Sequence, residues 1–130
     1  MDTSIKKIMI VDDNEFDCYI TSKIINNFDA TVDIMEFNSS LTAIQFLEEY
    51  QNAPEKLPDL IFLDIYMPLL DGFDFIEKFN ELSGVIKEHT KICILSTTVD
   101  DLYIHRARVN ESILFTSKPI TKEFLQTIFK

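Results

Sequence analysis

The sequence predicts an α/β fold: a five-stranded parallel sheet with helices on both faces. Three observations carry this. Short apolar runs recur five times, and segments with helical spacing alternate with them. Two of the runs, Ile8-Met9-Ile10-Val11 and Leu60-Ile61-Phe62-Leu63, contain no polar residue, as strands buried on both faces require. The 130 residues contain no linker-like, repetitive or low-complexity tract, so residues 1–130 are expected to be one domain with a sizeable core.

Each element has its own justification. After the first run, Asp12-Asp13-Asn14 ends the strand, and Asp13 or Asn14 suits a helix N-cap. From Glu15, Phe16, Ile20, Ile24 and Phe28 recur every four residues, which predicts an amphipathic helix buried on those positions. Val32-Asp33-Ile34-Met35-Glu36-Phe37 alternates imperfectly and reads as a strand with one wet side, hence a sheet edge. Ser39 or Ser40 caps the next helix, which buries Ala43, Ile44, Leu47 and Tyr50. Pro54 and Pro58 bracket a loop before the central strand, which closes on Asp64 before Pro68.

Gly72 opens a helix through Phe75, Ile76, Phe79 and Leu82, and Gly84 follows soon after. Lys91-Ile92-Cys93-Ile94-Leu95 is the fourth strand, stopping at Ser96. A weaker fourth helix is expected after Val99, with Leu102, Tyr103, Ile104 and Ala107 as apolar positions. Ile113-Leu114-Phe115 is the fifth strand, and the closing helix from Thr121 buries some of Phe124, Leu125 and Ile128. With the half-wet second strand at an edge, the order 2-1-3-4-5 follows, that of the flavodoxin-like (βα)5 three-layer sandwich. Ligands of such sheets bind beyond the C-terminal strand ends, at the crevice between strands one and three. Asp12 and Asp13 end the first of these strands, and Asp64 the other.

Twelve basic against 22 acidic residues give a net charge of −10. This disfavours nucleic acid and anionic membrane surfaces, which bind through basic patches, and favours a cation or a partner with a basic surface. No apolar run approaches the roughly 20 residues of a membrane span, and the N-terminus lacks signal-peptide features, so a cytoplasmic protein is expected. Cys18 and Cys93 have no metal-site or redox spacing and read as buried, reduced thiols. His89 and His105 lack partners at ligand spacing and are expected at the surface.

Three converging carboxylates repel one another, by roughly 4 kcal/mol per pair at an effective dielectric near 20. They must hold protons or bind a cation, and an all-oxygen set favours Mg²⁺. Asp64, alone on the central strand, is the better nucleophile towards a phosphoryl group; Asp12 and Asp13 are the better metal holders. Ser96 ends strand four with a hydroxyl that can hydrogen-bond a phosphoryl oxygen. Lys118 offers that phosphate a point charge, or pairs with Asp64 in its absence. The residues leave open whether the Lys118–Pro119 bond is cis. Singly, each of these is explained by a cap, a loop or a solvated lysine; together they occupy the C-terminal ends of different strands.

In this order, Val11-Asp12-Asp13, Leu63-Asp64-Ile65-Tyr66-Met67-Pro68 with Asp71-Gly72, Leu95-Ser96-Thr97 and Ser117-Lys118-Pro119 resemble a stand-alone response-regulator receiver domain of the chemotaxis type, across nearly the whole chain. The resemblance implies a phosphoacceptor switch of two-component phosphorelay signalling without an effector domain. Asp64 would take a phosphoryl group from a histidine kinase or histidine phosphotransfer protein. Asp13, Asp64 and the Tyr66 carbonyl would ligate Mg²⁺, with Asp12 acting partly through water. Ser96 takes the family's Ser/Thr switch position, Lys118 its lysine position, and Phe115 that of a rotating aromatic residue.

Such a domain is not an enzyme towards other substrates: it catalyses only its own phosphorylation and dephosphorylation. Output would pass through the face of the predicted fourth helix, fifth strand and closing helix, with Tyr103, Phe115 and Phe124 as contacts, to a downstream protein partner or by onward phosphotransfer. The chain would be a monomer or a weak dimer through that face. Three departures stand out. Tyr66 replaces a smaller or polar residue and is expected to shield the acyl phosphate, which an unchanged dephosphorylation rate in Tyr66→Asn would contradict. Phe115 has no hydroxyl for a hydrogen-bonded switch, and residues 107–112 lack the Gly-Ala often seen before strand five. Two other readings use the same residues: an aspartate-nucleophile phosphatase, which usually carries an acid where Tyr66 stands, and a degenerate receiver acting as a constitutive binding module.

Overall fold

The computed structural model describes residues 5–65, 70–96 and 113–129. Five strands, β1 (Lys7–Val11), β2 (Asp33–Phe37), β3 (Leu60–Asp64), β4 (Lys91–Ser96) and β5 (Ile113–Ser117), form one parallel sheet in the order β2-β1-β3-β4-β5. The described helices are α1 (Glu15–Phe28), α2 (Ser40–Tyr50), α3 (Gly72–Asn80), α4 (Gly84–His89) and α5 (Lys122–Ile128). The predicted fold class and strand order are both observed.

Alternation along the strands divides the core in two. Met9, Val11, Ile61, Leu63, Ile92 and Ile94 face α2, α3 and α4; Ile8, Ile10, Leu60, Phe62, Cys93 and Leu95 face α1 and α5. Both faces of β1 and β3 are therefore sealed, which accounts for their uninterrupted apolar runs. Each fully buried aliphatic or aromatic side chain contributes about 1.5–3 kcal/mol. The second strand is at an edge, as expected, but its exposed residues, Asp33 and Glu36, point to opposite faces rather than to one wet side.

Four further expectations need correction. Helix α1 buries Cys18, Thr21 and Ile25, with Ile24 and Phe28 half-buried; Phe16 is 69% exposed. A four-residue spacing advances about 40° per step at 3.6 residues per turn, so three steps carry Phe16 about 120° from Phe28. Gly84 opens the additional short helix α4, with Ser83 at its N-cap position and Ile86 buried. His89 is half-buried rather than simply at the surface: its Nε2 lies 3.0 Å from Asp59 Oδ1 at the N-terminal end of the sheet. The fifth strand runs two residues beyond Phe115, to Ser117. The predicted fourth helix after Val99, with Tyr103 and His105, lies outside the described residues, as does Tyr66.

Asn14 and Ser39 are the N-caps of α1 and α2, and Asp71 with Asp74 forms a capping box on α3. Cys18 and Cys93 are buried free thiols.

Candidate functional site

Strand register places the chemistry. Val11 pairs with Leu63, so Asp12 and Asp64 leave adjacent strands side by side. Asp64 pairs with Leu95 and Ser96 with Ser117, so Ser96 and Lys118 follow on the same rim. The Lys118 N–H donates to the Ser96 carbonyl at 3.0 Å, and the Lys118–Pro119 bond is cis.

Ligand oxygens of Asp12, Asp13 and Asp64 all lie within 4.8 Å of one another. Asp12 and Asp64 are buried, at 1% and 8% exposure, whereas Asp13 is open to solvent. Asp12 is braced on every side. Its N–H donates to the Phe37 carbonyl, and its carbonyl accepts from Asn38 Nδ2 at 3.1 Å. Its Oδ1 accepts from the Asn14 N–H at 3.0 Å, and its Oδ2 from Lys118 Nζ at 2.7 Å.

The expected Lys118–Asp64 ion pair is present, with two further carboxylates beside the same ammonium. Its ammonium is closest to Asp12, next to Asp17 Oδ2 at 3.1 Å, and 3.7 Å from Asp64 Oδ1. Burial by itself draws the ammonium's pKa down, but the hydrogen bonds and charges of Asp12, Asp64 and Asp17 outweigh that and hold it above the ordinary lysine value. Asp17 is a neighbour of this lysine that the sequence reading did not single out. Helix phase was the available signal: about 100° per residue sets Asp17 about 40° from Thr21, at the margin of the buried stripe.

Other predicted residues are placed as follows. Ser96 is half-buried at the end of β4. Phe115 packs against the α2–α3 side of the sheet, and Phe124 against the α1–α5 side, so these two expected output residues are on opposite faces. Near Asp64, the Gly72 N–H donates to the Ile65 carbonyl at 3.0 Å, and Ser40 Oγ donates to the Leu70 carbonyl.

An all-oxygen cluster of this kind suits a hard divalent cation, and the adjacent ammonium offsets part of its charge.

Comparison with known proteins identifies the family. The response regulator receiver domain family is matched over residues 8–130. A two-component response regulator from Cytophaga hutchinsonii is similar in structure, with a TM-score of 0.87 and 25% identity, covering 97% of this chain and 95% of that one. A response regulator receiver protein from Dyadobacter fermentans has a TM-score of 0.80 and 29% identity, covering 95% and 98%. Among curated proteins, the 3′,5′-cyclic-nucleotide phosphodiesterase regA of Dictyostelium discoideum is 27% identical over 124 residues, 92% of this chain and 14% of that protein. The hybrid signal transduction histidine kinase L of the same organism is 30% identical over 129 residues, 95% of this chain and 7% of the kinase. This chain thus spans a small part of either curated relative. A match extending from the first strand to the last residue settles the family: the chain belongs to the response regulator receiver domains of two-component signalling.

Proposed function

We propose that Asp64 is the phosphoacceptor of this receiver domain, taking its phosphoryl group from the phosphohistidine of a histidine kinase or phosphotransfer protein. The observation that carries this is the gathering of Asp12, Asp13 and Asp64 within 4.8 Å, with Lys118 Nζ 2.7 Å from Asp12 and 3.7 Å from Asp64. A carboxylate oxygen of Asp64 forms the new O–P bond as the donor's N–P bond breaks, and the electron pair leaves on the imidazole nitrogen. Receiver domains bind Mg²⁺ at an acidic pocket, and the three aspartates would fit that ion; the Tyr66 carbonyl, the further ligand that the family resemblance implies, lies outside the described residues. Bound there, Mg²⁺ would neutralise charge that builds on the phosphoryl oxygens. Asp12, with its two oxygens engaged by Asn14 and Lys118, would help hold the ion partly through water.

The chain's own residues do the rest. Lys118 and the Ser96 hydroxyl donate to the phosphoryl oxygens, and their movement draws the ends of β4 and β5 inward. Phe115, half-buried on β5, responds by repacking, which alters the edge offered to a downstream protein. The same site catalyses loss of the phosphoryl group to water, which returns the domain to its starting state.

Incubation with Mg²⁺ and phosphoramidate tests this against the two other readings. A hydroxylamine-sensitive adduct of one phosphoryl group, absent in Asp64→Asn, is expected. Sustained turnover of external phosphoesters would instead establish a phosphatase, and no adduct at all would establish a constitutive binding module.

A further inference from the structure

Lys118 is shared by three carboxylates, and one of them has no part in the phosphoacceptor chemistry. An ammonium has three N–H donors. Asp12 at 2.7 Å and Asp17 at 3.1 Å are within hydrogen-bond distance; Asp64 at 3.7 Å is beyond it. Asp17 is the third residue of α1, and its N–H donates to the side chain of the Asn14 cap at 3.0 Å. That anchors the first turn and keeps the Asp17 carboxylate beside the strand ends. The two lysine partners differ in exposure: the Asp12 side chain is 1% exposed and that of Asp17 37%. Asp12 is the fixed partner, and Asp17 the exchangeable one.

We propose that Asp17 is a positioning residue that competes with the phosphoryl group on Asp64 for Lys118, and so limits how far the phosphorylated state is stabilised. This rests on Asp64 being the phosphoacceptor. Phosphorylation takes the charge at Asp64 from one negative to nearly two and adds acceptor oxygens. With two of its three N–H donors on Asp12 and Asp17, Lys118 is held back from Asp64, and the Asp17 charge also repels the phosphoryl group. Both effects act in one direction: the Asp17 carboxylate lowers phosphoryl occupancy at a given donor concentration.

Beryllofluoride, a phosphoryl mimic, titrated with saturating Mg²⁺ and followed by fluorine NMR, tests the competition. Asp17→Asn is expected to bind it about two- to five-fold more tightly than the native chain, the range of a half-exposed ion pair. Asp17→Glu, which keeps the charge, is expected to stay near the native affinity. The gain should shrink as salt is raised, because the pair is open to solvent. A residue that merely supports α1 would lower the urea midpoint when substituted and leave beryllofluoride affinity unchanged or weaker; that result overturns the proposal. If the native chain binds no beryllofluoride and forms no adduct with phosphoramidate, the phosphoacceptor reading falls and the competition with it. A native adduct together with unchanged affinity in Asp17→Asn overturns the competition alone.

Discussion

Gly72 lies directly against Ile65: a Cβ added at Gly72 would stand 2.9 Å from the Ile65 Cα and 3.3 Å from the Asp64 carbonyl oxygen. The obstacle is backbone, which cannot rotate away as a side-chain end can. Helix α3 therefore starts where only a glycine lets it pack against the segment that follows Asp64. Gly72→Ala is expected to destabilise the fold by about 1–3 kcal/mol, the usual cost of overpacking, and to slow adduct formation by displacing the Asp64 backbone. Urea denaturation measures the first effect and phosphoramidate kinetics the second. Gly84, with nothing within 4 Å of its added Cβ, is the control site for alanine.

The same helix start depends on Asp71, whose side chain accepts from the Phe73 and Asp74 N–H groups at 2.9 Å each, while Asp74 accepts from the Asp71 N–H at 3.2 Å. Asp71→Ala is expected to cost about 1 kcal/mol in urea denaturation. Asp71→Asn, which keeps an acceptor oxygen, is expected to retain most of that stability.

Removing a charge from the cluster should separate stability from metal binding. Without Mg²⁺, Asp13→Asn relieves repulsion with Asp12 and Asp64, so its urea midpoint is expected to rise above that of the native chain. Its affinity for Mg²⁺, followed by calorimetric titration, is expected to fall by at least about ten-fold. A lower midpoint in the absence of the ion would contradict the clustering of charge.

Burial pushes both thiols up to about 12, Cys93 by burial and Cys18 by burial together with the neighbouring Glu36 and Asp12 charges. Between the ordinary value of 9.0 and about 12 the unfolded chain loses thiol protons that the folded chain keeps. The native state then binds more protons, so stability falls as pH rises through that window. Iodoacetamide at neutral pH is expected to leave both cysteines intact in the folded chain and to modify both in urea.

Much of this was legible because buried parallel-sheet strands write themselves as unbroken apolar runs, and because three of the five runs stop at a polar residue able to meet a ligand: Asp12, Asp64 and Ser96. The half-wet second strand sufficed to place an edge, and the edge to order the sheet. Less legible was anything depending on angle rather than sequence position. Phe16, Ile20, Ile24 and Phe28 keep an even spacing that drifts around the helix, so Phe16 emerges into solvent while Cys18 and Thr21 turn inward. Asp17 was hidden by the same drift. The α4 turn at Gly84–His89 is too short for periodicity to register, and the His89–Asp59 pair joins residues 30 positions apart, a distance no local pattern reveals.

On the reading proposed above, Asp64 carries the phosphoryl group and needs the acidic cluster to accept it. Incubating the chain with phosphoramidate, reducing any acyl phosphate with borohydride and sequencing the peptides by mass spectrometry reads this at single-residue level. Conversion of Asp64 to homoserine is expected with Mg²⁺ present and not in its absence. Homoserine at Asp12 or Asp13 instead, or none at any aspartate with Mg²⁺ present, would contradict it.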